Sequence, residues 1–167
     1  MTPSPPEHDV RELLARHGID LILTVPCKYI ANLITGLEAD ARFEVVYPTR
    51  EEEGIGIAAG AHLAGRRPAL LIQNSGLGNL VNAHCSLNQF YGIPVCMIIS
   101  HRGDELERVP AQQPMGSVSR DLLQLMRIEC VELKTPADLP RMHEGLRRYA
   151  EKGESVAFLG KKTFWTV

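Results

Sequence analysis

No stretch of this 167-residue sequence holds the roughly 20 consecutive apolar residues that a membrane-crossing helix needs, so a bilayer-spanning role is not expected. Neither sign of charge dominates. Eighteen lysines and arginines stand against 20 aspartates and glutamates, a formal net charge of -2, which leaves no broad basic field to gather a nucleic-acid backbone. Nucleic acid is therefore not an expected partner. The four cysteines, Cys27, Cys85, Cys96 and Cys130, lack the closely spaced pair that zinc sites usually show, and no two of the six histidines lie four residues apart. Reduced thiols are expected, and no metal site built by this chain alone. The opening MTPSPPEHDV has no basic run followed by an apolar stretch, so the expected location is cytoplasmic.

What is present is a regular alternation. Short β-branched apolar runs at Leu21–Val25, Phe43–Tyr47, Ala69–Gln73, Val95–Ser100, Glu129–Leu133 and Val156–Leu159 read as strands buried on both faces. Segments of helical period lie between them, near Asp9–His17, Lys28–Leu37, Glu51–Ala64, Asn79–Phe90, Ser117–Met126 and Asp138–Glu151. This pattern predicts an α/β fold, a three-layer α/β/α sandwich around a mostly parallel sheet of about six strands. A leader over residues 1–8 and one domain over 9–167 are expected; His101–Gly116 is the longest stretch without a period.

Four strand ends carry chemistry: Val25-Pro26-Cys27-Lys28, Arg50-Glu51-Glu52-Glu53-Gly54, Gln73-Asn74-Ser75-Gly76-Leu77-Gly78-Asn79 and Ser100-His101-Arg102-Gly103-Asp104. In a parallel sheet all four share the carboxyl edge, where ligands of open α/β folds bind. By itself the acidic triplet is explained by carboxylates beside a positive helix terminus. Helical phase puts Glu52 in line with Ile55, Gly56, Ala59 and Leu63, which makes its burial plausible. Glu51, in line with His62, reads as the most solvated of the three. The helix is apolar nearly all round, so this phase argument is loose.

The NSGLGN turn permits close backbone approach, yet Val81 replaces the third glycine of a dinucleotide fingerprint and no Lys-Ser/Thr pair follows. Nicotinamide and nucleoside triphosphates are disfavoured. Lys28, His101 and Arg102 could together hold a small anion, or be solvated loop residues. Cys27 reads as a packing residue, having no histidine partner in the sequence pattern. Met115, Met126, Phe164 and Trp165 read as core or subunit contacts.

Taken together, TREEEGIGIAAGAHLAG, the following strand, QNSGLGN, VPCK, and ISHRGD with PAQQPMG resemble the pyrimidine-binding domain of the thiamine diphosphate-dependent 2-oxoacid decarboxylases. The resemblance covers nearly the whole chain. It implies a lyase whose activating glutamate stands six residues before an Ala-Ala pair, which with Ala58-Ala59 selects Glu52. It further implies cofactor contacts at Val25, Pro26, Glu52, Ser75, Gly76, Gly78 and Asn79, and substrate contacts at Lys28, His101, Arg102, Gln112 or Gln113. The family's magnesium-binding Gly-Asp-Gly is missing, since Gly103-Asp104 is followed by Glu105. A separate β subunit is therefore expected to bring the diphosphate and magnesium site, in a hetero-oligomer. Within the family the resemblance is nearest to the branch that decarboxylates 3-sulfopyruvate to sulfoacetaldehyde, as in coenzyme M biosynthesis. The phosphonopyruvate branch is the alternative, and a non-catalytic ligand-binding or regulatory subunit a third.

Overall fold

In the computed structural model, which describes residues 6–165, the six apolar runs pair as one fully parallel sheet. The strands are β1 (Leu21–Thr24), β2 (Glu44–Val46), β3 (Pro68–Gln73), β4 (Cys96–Ser100), β5 (Glu129–Leu133) and β6 (Val156–Gly160), in the spatial order β2-β1-β3-β4-β6-β5. Side chains alternate across a pleated strand, so each central strand feeds two cores. Ala69, Leu71, Cys96, Ile98, Val156 and Phe158 point to one face, where they meet α1 (Pro6–Arg16), α2 (Ala31–Glu38), α6 (Leu139–Lys152) and α7 (Lys162–Trp165). Leu70, Ile72, Met97, Ile99, Ala157 and Leu159 point to the other, where they meet α3 (Glu51–Leu63), α4 (Leu77–Ala83) and α5 (Gln113–Leu125). The α/β/α sandwich with a six-stranded parallel sheet is thus as expected from the sequence.

Several local expectations give way. Residues 6–8, expected in the leader, form the first turn of α1, and Pro6 and Glu7 are buried; residues 1–5 of that leader lie outside the described residues. The edge strands β2 and β5 are not buried on both faces, because each has a sheet neighbour on one side only. The helix expected over Asn79–Phe90 starts at Leu77 and widens into a π-helical turn over His84–Gln89. That turn directs His84 and Asn88 inward, where His84 Nε2 bonds Met126 O at 3.2 Å and Asn88 donates to Ile93 O. The aperiodic segment ends sooner than expected, since α5 begins at Gln113 rather than Ser117. Phe164 and Trp165 belong to the core, and Trp165 Nε1 donates to Gly160 O at 3.1 Å.

The chain leaves β1 for the edge strand β2 and returns across β1 to pair β3 on its other side. This reversal between β1 and β3 opens a crevice at their carboxyl ends, the position at which doubly wound sheets place ligands. Val25-Pro26-Cys27 and Gln73-Asn74 stand on its two sides.

Candidate active site

All four chemically rich segments do converge on the carboxyl edge, and the acidic triplet that opens α3 divides into three different roles. Glu53 reaches back to accept the Thr49 N–H at 2.6 Å, which satisfies a free donor at the helix start. Glu52 pairs with Arg50 at 3.0 Å with its side chain 36% exposed, while its Oε2 is enclosed without a partner. Glu51 is only 8% exposed and turns inward, accepting a hydrogen bond from Asn79 Nδ2 at 2.8 Å on Oε2. The burial order expected for Glu51 and Glu52 is therefore reversed. The buried residues of α3 are Glu51, Gly54, Ile55, Ala58 and Ala59; of the four aligned with Glu52, Ile55 and Ala59 are buried while Gly56 and Leu63 face outward.

Glycine makes this seat possible. A Cβ on Gly76 would land on the Glu51 carboxyl, so only a glycine in the NSGLGN turn lets the carboxylate rest against the backbone. Gly54 marks the facing side, because a Cβ there would come within 2.7 Å of Leu70 on β3. Gly54 was the sequence signal for the correct phase: a glycine where the helix crosses the sheet. Glu51 Oε1 accepts no hydrogen bond from the described residues. Ser75, Gly78 and Asn79 are exposed beside it, Val25 is half-buried, and Pro26 is exposed.

Beneath the turn lies a second network that sequence reading did not find. Cys27 is buried, accepts from Ser100 Oγ at 3.0 Å, and donates to Gln73 Oε1 at 3.4 Å. Gln73 Nε2 donates to Ser75 Oγ at 2.8 Å and to Gln112 Oε1 at 3.0 Å. Asn74, fully buried, donates to Arg102 O at 2.8 Å and to Ser119 Oγ at 2.9 Å, and accepts the Arg102 N–H at 3.1 Å. These bonds tie the ends of β1, β3 and β4 to the start of α5.

The expected anion-binding cations fare unequally. Arg102 is committed: Glu107 receives its Nε and Nη2, and its guanidinium lies 4.5 Å over the Tyr29 ring. The Arg102 guanidinium beside Glu107 holds that carboxyl down at about 2. Arg102 therefore clasps the 101–109 segment through Glu107. His101 is held too, with Nε2 bonding Gly116 O at 3.1 Å and Nδ1 enclosed. Gly103, at φ +87°, and Gly116 press backbone on backbone, leaving no room for a Cβ on either. Lys28 and Gln113 remain exposed, and Gln112 is half-buried. Among the described residues no group of three histidine, cysteine or acidic side chains is placed to hold a metal ion, and no helix is long and apolar enough to cross a membrane.

Comparison with known proteins bears on what this edge binds. Residues 7–122 match the thiamine pyrophosphate enzyme family, N-terminal TPP binding domain. The chain is 47% identical over 149 residues to sulfopyruvate decarboxylase subunit alpha of Methanococcus maripaludis, covering 89% of each chain. It is 43% identical over 149 residues to the protein of the same name from Methanocaldococcus jannaschii, covering 89% of this chain and 88% of that one. Phosphonopyruvate decarboxylase of Streptomyces viridochromogenes is 36% identical over 113 residues, 67% of this chain and 28% of that protein.

Proposed function

Because the chain belongs to the thiamine pyrophosphate enzymes, as their N-terminal TPP-binding domain, we propose that it is the α subunit of a decarboxylase converting 3-sulfopyruvate to sulfoacetaldehyde and carbon dioxide. The observation that carries this reading is similarity over 149 residues, at 43–47% identity, to relatives of that name. The phosphonopyruvate relative matches less closely and over a shorter span, which favours the sulfonate substrate.

The residues present fit the pyrimidine end of the cofactor. Thiamine diphosphate supplies the electron sink that makes loss of carbon dioxide from a 2-oxoacid accessible. This chain's contribution centres on a desolvated carboxylate. The resemblance points to Glu52, whose Oε2 is enclosed without a partner; Glu51, buried and bonded through Oε2 to Asn79, is the alternative. Glu52 would hold, at Oε2, the proton it shares with a pyrimidine ring nitrogen. With water excluded, that hydrogen bond meets no competition from bulk solvent. Val25, Pro26, Ser75, Gly76, Gly78 and Asn79 would line the approach, and Arg50 would steady Glu52 through its other oxygen.

A second subunit is implied by the relatives' designation as α. It would carry the diphosphate and magnesium site, for which this chain offers no cluster of ligands among its described residues. The assembled enzyme would work in the cytoplasm, coenzyme M formation being one use of its product. The reading is tested by isolating this chain with its co-purifying subunit and adding thiamine diphosphate, magnesium and each 2-oxoacid. Sulfoacetaldehyde formation, with phosphonopyruvate a poorer substrate, is expected. Preference for phosphonopyruvate would overturn it.

A further inference from the structure

The substrate proposed above carries a sulfonate tail beyond its reacting 2-oxoacid end, and that tail needs hydrogen-bond donors held in place. Of the five residues nominated from the sequence, Arg102 is spent on Glu107 and His101 on Gly116. Lys28 and Gln113 are exposed side chains with no hydrogen bond among the described residues to hold them in one orientation. Gln112 differs. Its Oε1 is occupied by Gln73, while its Nε2 has no partner among the described residues.

We propose that Gln73 is a positioning residue, orienting the Gln112 amide so that its two N–H donors face the anionic tail of the substrate. This inference rests on the sulfonate reading and deepens it. An amide can present either its oxygen or its nitrogen, and the surrounding bonds decide which. Here the order runs in one direction. Ser100 donates to the Cys27 sulfur, leaving the thiol proton for Gln73 Oε1. With its oxygen so engaged, Gln73 turns Nε2 outward to Ser75 and Gln112. Gln112 must then accept with oxygen and present nitrogen. The chain starts at a fully buried serine and a nearly buried cysteine, so solvent cannot easily reset it. Donors fixed before the ligand arrives lose little conformational freedom on binding.

Gln73→Glu tests this with almost no change in shape. A carboxylate only accepts, so Gln112 must turn its nitrogen toward residue 73 and its oxygen toward the sulfonate. In the complex of this chain with its second subunit, kcat/KM for sulfopyruvate relative to pyruvate, which lacks the tail, should fall roughly ten- to hundredfold, with most of the change in KM. Gln112→Leu should lower the same ratio comparably, and the double variant should add little. Calorimetric titration with 3-sulfopropionate, which cannot be decarboxylated, should show the same weakening without turnover. Wild-type turnover of sulfopyruvate with ratio and sulfonate affinity unchanged in Gln73→Glu would overturn the positioning role alone. A wild-type complex that neither binds 3-sulfopropionate nor turns over sulfopyruvate would overturn both this role and the sulfonate reading.

Discussion

At the scale of single residues, Glu51 and Glu52 are neighbours in sequence with opposite surroundings. A helix advances 100° per residue, so one of two adjacent carboxylates can lie buried against Gly76 while the other pairs one oxygen with Arg50 and has the second enclosed without a partner. Glu52→Gln in the assembled complex should lower kcat by a factor of about 100 to 10,000, the usual range for loss of a positioned acid–base group. Glu51→Gln should cost less, because its carboxylate is already bonded by Asn79. Steady-state kinetics on both variants decides between them, and the reverse ranking would move the role to Glu51. The seat itself can be tested through Gly76→Ala. The new methyl would meet the Glu51 carboxyl, so activity should fall by at least about tenfold while far-ultraviolet circular dichroism stays near wild type. Neither effect could be read from the triplet alone, since the neighbours that separate the three glutamates, Gly76, Asn79 and Arg50, are known only from the fold.

At the scale of elements, the segment from His101 to Val109 lacks periodicity yet is held by its own charges. Glu107 binds the Arg102 guanidinium and also accepts the N–H of Gly103 and of Val109. Its folded carboxyl titrates at about 2, well below the ordinary value of 4.5. The folded state therefore binds the proton later than the unfolded chain. The stabilisation is fully present above about pH 4.5 and is lost as the pH falls toward 2. Glu107→Gln should cost about 1–3 kcal/mol at pH 7 and almost nothing near pH 2, as read from urea midpoints at the two pH values. A constant difference across that range would show that Glu107 acts by shape and not by charge. The sequence marked this segment as a loop with two nominated cations. It could not show that Glu107, five residues on, consumes one of them, because no helix or strand period relates the two.

At the scale of the whole molecule, α1 and α6 come from opposite ends of the chain and meet through paired imidazoles. His17 Nε2 lies 3.2 Å from His143 Nδ1. Burial, and then the charge of His143, lowers the His17 pKa; Arg16 and Arg67 push the same way, and Glu151 opposes them. The unfolded chain thus takes up this proton first as the pH drops. Stability should be unaffected at pH 8 and should decline as the pH falls through about 6.5. His17→Gln should flatten that decline between pH 8 and 5.5 in urea titrations; an identical slope would exclude the pair as its source. At the same scale, this polypeptide alone should show no decarboxylase activity with thiamine diphosphate and magnesium, and turnover by such a preparation would contradict the divided site.

The sequence by itself determined the sheet, its six strands and the convergence of four strand ends on one edge. Short β-branched apolar runs and period-3.6 patterns depend on local geometry, and a parallel order forces all carboxyl ends to one side. Only the tertiary structure decided which glutamate is buried, which cation is already paired, and which way the Gln112 amide faces. The first and the last depend on contacts between residues 28 to 46 positions apart, such as Glu51 with Asn79, Cys27 with Gln73, or Gln73 with Gln112, and the second on a pair, Arg102 and Glu107, that no helix or strand period relates. A helix apolar nearly all round leaves its own phase undetermined. The opening glutamates acquired distinct roles only when α3 packed on β3 and the NSGLGN turn closed over one of them.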